Sequence, residues 1–229
     1  MTITTTMAAE RRGTLKLMIQ IAAVVLLIPV GLTIGGLTGW PVMSPILGML
    51  APLLAATWML RSEGMRWRDV GFGNAMPVGR FLKMLTITVV VAYAAFIALL
   101  GVLKAIGLPE HDVSALRALL EGNTVAYLLF LIPVSWGSAA FGEEMLLRGF
   151  MLNRLERLSR STSWAVVGQA AIFASAHFYQ GITGVLLIFA VGLVFGAMFI
   201  RSGRNLWPVI AAHGVIDTIA MTALYAGWG

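Results

Sequence analysis

Six ionisable side chains interrupt otherwise apolar stretches of this sequence: Glu143, Glu144, Arg148, His177, His213 and Asp217. Carboxylates and imidazoles are the groups that exchange protons near neutral pH, and a few of them around one water can drive hydrolysis. Spacing sorts them. Glu144 and Arg148 are four residues apart, so on a helix they share a face and can pair. Glu143 is turned away from that pair by about 100° and is free for other work. His213 and Asp217 again share a face, as do Phe173 and His177.

Several chemistries are excluded at once. The chain has no cysteine, which removes thiol nucleophiles, disulfides and zinc ribbons. It has no H-E-x-x-H zinc motif, and Ser138 stands in Gly137-Ser138-Ala139-Ala140, without a G-x-S-x-G elbow. Two histidines with two or three carboxylates could bind zinc or a metal pair. The spacing does not demand it, so the reading carries no metal and no cofactor. His111 falls in a polar loop and is expected to be exposed.

The elements that must position these groups are membrane spans. Of the 229 residues, 59% are hydrophobic and 11% charged, against about 25% charged in a soluble domain. A span needs about 20 apolar residues. Candidates are 17–37, 42–60, 81–103, 125–147, 164–178, 182–200 and 206–226. The expected fold is an all-α polytopic bundle of seven or eight spans, because Pro133, Gly137 and Gly142 could kink or split the fourth. Residues 1–10 read as a polar tail. The apolar run after Arg11-Arg12 is too long for a signal peptide and reads as a retained span. Val113, Leu116 and Leu120 suggest a short interfacial helix between the third and fourth spans.

With the N-terminus in the cytoplasm, fourteen of the sixteen basic residues fall on that side, leaving only Lys104 and Arg117 opposite. The net charge of +6 therefore reflects topology and not nucleic-acid binding. Trp40, Trp58, Trp164, Trp207 and Trp228 fall near span ends, as an interfacial belt requires. The first three spans hold no acidic residue or histidine. The chain thus divides into residues 1–123, a tail, three spans and an external loop, and residues 124–229, a chemical unit.

Depth is a stricter test. Arg160 marks the tip of a helical hairpin, with Glu143 and His177 each 17 residues from it. Both then lie about 25 Å from the tip. His213 and Asp217 lie about 15 Å and 21 Å from the next turn, near Gly203. Three helices can bring their polar groups to one layer. The same residues could serve structure alone, as a register-fixing ion pair and hydrogen-bonded core histidines. Several such groups at one depth exceed what packing asks for.

The motifs now resemble a known pattern. Glu143-Glu144-Met145-Leu146-Leu147-Arg148 is similar to the E-E-x-x-x-R motif of the CAAX-protease and bacteriocin-processing (CPBP, or Abi) family of intramembrane glutamate proteases. Phe173 to His177 resembles its F-x-x-x-H motif, and His213 with Asp217 its H-x-x-x-N/D motif. The resemblance covers about residues 124–226. It implies that Glu143 activates a water with help from His177, that His213 and Asp217 stabilise the oxyanion, and that Glu144 and Arg148 support the site. The motif admits either residue where this chain has Asp217, but asparagine is the more comfortable oxyanion donor: an ionised aspartate cannot donate a hydrogen bond, so Asp217 could serve if protonated or by holding His213 in the donor tautomer.

The implied activity is metal-independent endopeptidase cleavage of a membrane-associated peptide or protein, in the cell (inner) membrane, with no nucleic-acid partner. The alternative is a non-catalytic immunity or scaffold protein that binds a peptide, or a small transporter. Against the transporter, the N-terminal half offers no matching interrupted helices.

Overall fold

The computed structural model describes residues 3–73 and 75–228, with side chains described from Arg11 onward. Every regular element among them is helical: α1 (Ile3–Leu37), α2 (Met43–Ser62), α3 (Val78–Ala105), α4 (Ser114–Leu120), α5 (Thr124–Ser159), α6 (Thr162–Ser175), α7 (Gly181–Arg201) and α8 (Leu206–Tyr225), with two single 3₁₀ turns, Trp67–Val70 and Phe178–Gln180. Among the described residues, six helices are long and apolar enough to cross a membrane: α1, α2, α3, α5, α7 with its preceding turn, and α8. The seventh apolar segment, α6, has 14 residues, about 21 Å, less than the hydrocarbon thickness. His177 therefore lies just beyond a helix end. The expected tail is helical from Ile3, where Met, Ala, Glu and Arg favour helix; its first two residues lie outside the described part.

Large apolar side chains such as Leu26, Leu54, Val90 and Ile97 point outward, which lipid tolerates and water would not. The five tryptophans expected at span ends are all exposed. Helix α4 forms where the apolar spacing placed it and buries Leu120 against Ala126, Phe130 and Leu224. His111 is half-buried and edge-on to Phe96 of α3, so it is not a free solvent group.

Helix α5 is one continuous element and is not split at Pro133. Its turns are instead widened to an i→i+5 pattern over Phe130–Glu143 and Met145–Met151. Proline has no N–H and its ring crowds the carbonyl four residues back, and a wider turn relieves both. The widening has a consequence for register. Antiparallel α5 and α8 are joined by Thr124–Tyr225 (3.0 Å), Tyr127–Thr222 (3.0 Å), Trp136–Thr218 (3.1 Å) and Glu144–His213 (2.8 Å). Between the first and last of these pairs α5 advances 20 residues (124 to 144) while α8 covers only 12 (225 to 213). Wide turns hold more residues per unit length, so they contribute to this offset, with the reach of the long Trp136, Glu144 and His213 side chains supplying the rest.

The hairpin between α5 and α6 turns at Arg160, which is left-handed (φ 56°), and Ser161 caps α6 through Trp164 N. The same end of the bundle is held by ion pairs. Glu63 binds Lys16 (2.9 Å), Gln20 (2.8 Å) and the buried Arg154 (2.9 Å), tying α1, the end of α2 and α5 together. Burial pushes the Glu63 carboxyl up, but hydrogen bonds from Lys16 and Gln20 and the charge of Arg154 outweigh it and hold it below 4.5. Arg204 makes two 2.8 Å bonds to Glu156, fastening the α7–α8 turn to the same tip.

Candidate active site

The site is built around α5. Arg148 Nη1 lies 2.9 Å from Glu144 Oε1, and both side chains are fully buried. A guanidinium in such a place needs more than one partner. Arg148 also reaches the Gly192 carbonyl (3.4 Å), and its charged plane lies over the rings of Phe173 (5.1 Å) and Phe195 (5.2 Å). Gln169 of α6 donates to the same Gly192 carbonyl at 2.9 Å. The pair expected from i,i+4 spacing is therefore present, and α6 and α7 close around it.

Glu144 does more than pair with Arg148. The same Oε1 is 2.8 Å from His213 Nδ1 on α8. An ionised carboxylate only accepts, so Nδ1 carries the proton and donates. His213 Nε2 then faces the other two carboxylates, Asp217 at 3.8 Å and Glu143 at 3.9 Å. Glu143 is half-buried, unlike its fully buried neighbour Glu144. The group that orients His213 is thus Glu144.

Close packing fixes the height of His213. The next residue, Gly214, lies under Trp136 of α5, and a Cβ there would be 2.5 Å from the indole ring. Only glycine lets the two helices approach so closely at this point.

His177 lies on the turn after α6. Its Nδ1 is 3.0 Å from the Phe173 carbonyl, which can only accept, so in the neutral ring the lone pair is on Nε2. Phe173 meets His177 edge-on (4.9 Å) and also approaches His213 (6.3 Å), which makes it the shared wall between the two imidazoles. Two residues missed in the sequence join here. Tyr179 stacks on His177 (5.9 Å between centroids, 30° between planes) and lies within electrostatic reach of Glu143 and Asp217. Tyr93, on α3, also senses Asp217. Spacing could not have found either, because a tyrosine in an apolar helix is an ordinary lining residue. Among the described residues, no three His, Asp or Glu side chains are grouped to hold a metal ion.

Residues 125–219 match the family model of type II CAAX prenyl endopeptidase Rce1-like proteins. The match spans 95 of the 229 residues, less than half of the chain, and makes this segment similar to the CAAX-protease (CPBP) family. All six site residues fall inside the CAAX-protease segment, whereas α1, α2, α3 and Tyr93 lie outside it. No curated protein and no solved structure matched the chain. The family is one of endopeptidases, so peptide hydrolysis in a multi-pass membrane protein is the activity it supports.

Proposed function

We propose that the chain is an intramembrane glutamate endopeptidase of the cell membrane, with its N-terminus in the cytoplasm, that cleaves a membrane-associated peptide or protein without a metal. The observation that carries the reading is the position of Glu143, a half-buried carboxylate 3.9 Å from His213 Nε2 and beside Glu144, whose Oε1 is already held by Arg148 and His213.

Each side chain then has a part. Glu143 takes a proton from a water that also donates to the lone pair of His177 Nε2. The resulting hydroxide attacks the scissile carbonyl. Negative charge collects on the carbonyl oxygen and is met by an N–H of His213. Because Nδ1 already donates to Glu144, His213 must carry protons on both nitrogens to donate from Nε2. Asp217 and Glu144 balance that imidazolium charge. Arg148 holds Glu144 in place. As the intermediate collapses, the C–N bond breaks and Glu143 returns its proton to the leaving amine.

The test is cleavage of membrane-inserted reporter peptides, prenylated and unprenylated, by the purified protein. Products should appear with wild type and not with Glu143→Gln. A wild-type protein that binds such peptides without cutting them would transfer the reading to a binding protein.

A further inference from the structure

In this chain the oxyanion-facing helix carries Asp217 where an asparagine amide would donate a hydrogen bond. An ionised aspartate accepts only and repels developing negative charge. A second donor beside His213 therefore has to come from elsewhere in the site.

The turn between α6 and α7 offers one. Tyr179 lies two residues past His177, and its ring stacks on that imidazole at 5.9 Å. Gln180 Nε2 donates to the Tyr179 hydroxyl oxygen at 3.0 Å. That bond occupies a lone pair of the phenol oxygen and leaves its hydrogen free to donate to a third group. The Tyr179 side chain is itself exposed, so a substrate can reach its hydroxyl. The turn is also held rigidly. The Gln180 carbonyl accepts from Asp112 N (3.0 Å), Thr183 donates to the Pro109 carbonyl, and the Gln180 side chain rests directly on Gly184, where a Cβ would be 2.4 Å away. A donor that is fixed before the charge develops is the kind that accelerates acyl transfer.

We propose that Tyr179 is a further catalytic residue, whose hydroxyl donates to the oxyanion in the role left vacant by Asp217. The proposal rests on the endopeptidase reading. It assigns Gln180 as the positioning residue that sets the phenol's hydrogen toward the substrate.

The test is a double-mutant cycle on the purified full chain in detergent, with a reporter peptide. Tyr179→Phe should lower kcat by about 100-fold, with KM within about twofold and the Tm unchanged, as loss of one oxyanion donor does. In an Asp217→Asn background, where the amide supplies a donor, the same change should cost only about threefold, far below that single-donor loss. Equal losses in both backgrounds would overturn the proposal and leave Tyr179 a packing residue, as would full activity of Tyr179→Phe. An inactive Asp217→Asn enzyme would overturn it too, because the asparagine would then be no substitute. These outcomes differ from failure of the parent reading, in which the wild-type chain does not cleave at all.

Discussion

Glu144 Oε1 lies 2.8 Å from His213 Nδ1 and 2.9 Å from Arg148 Nη1, so one carboxylate oxygen joins a cation on its own helix to an imidazole 69 residues away. Glu143, its neighbour in the chain, has a half-buried carboxylate and no such pair of short bonds. The two glutamates should therefore fail differently when replaced. Glu143→Gln should keep its fold and lose about two or more orders of magnitude in cleavage rate, as loss of a general base does. Glu144→Gln should lose both activity and about 3–5 kcal/mol of stability, because Arg148 is left buried without its counter-charge. Tm and peptide cleavage on both variants check the contrast. A stable but inactive Glu144→Gln protein would reverse the two assignments.

Gly214 sets the distance between α5 and α8. Gly214→Ala would place a methyl 2.5 Å from the Trp136 ring and force it off Thr218. Overpacking of this kind costs about 1–3 kcal/mol. The Tm should fall and cleavage should drop with it, since His213 is the adjacent residue. A variant as stable and active as wild type would show that the helix pair is looser than its packing implies.

The Glu63 cluster makes a prediction about pH. Its carboxyl is held below 4.5 in the folded state, chiefly by Lys16, Gln20 and Arg154 acting against burial. A depressed carboxyl stabilises the fold fully above its unfolded value and loses that contribution as pH falls through the folded one. Glu63→Gln should therefore cost about 3 kcal/mol at pH 7, where it strips the buried Arg154 of its charge partner. The gap between variant and wild type should stay constant down to about pH 4.5 and close below it. Melting curves across that range decide it, and a gap that widens in acid would reverse the sign.

The proposed chemistry uses carboxylates, imidazoles and the Tyr179 phenol, and no metal. Cleavage should survive strong chelators, and the purified protein should hold no stoichiometric transition metal by elemental analysis. Activity lost to a chelator and restored by zinc would move the enzyme to the metalloproteases.

Much of this was legible in the chain itself. Charge scarcity and apolar runs dictated a helical membrane bundle, because backbone groups in lipid must be satisfied within the segment. The Glu144–Arg148 pair followed from i,i+4 geometry, which is local and survives even in widened turns. The hairpin tip at Arg160 and the three motifs were also local signals, and the family match over residues 125–219 spans the stretch that holds them.

What the tertiary structure alone decided is which groups meet. Depth reckoned at a uniform rise per residue assumes regular helices, and α5 is not regular. Its widened turns fit more residues into the same length against α8, and together with side-chain reach they bring Glu144 to His213. Tyr179 and Tyr93 reach the site from a turn and from a helix of the N-terminal half. Periodicity reports which residues share a face of one helix. Pitch, helix ends and the approach of one helix to another depend on packing between segments far apart in the chain, and the folded chain sets them.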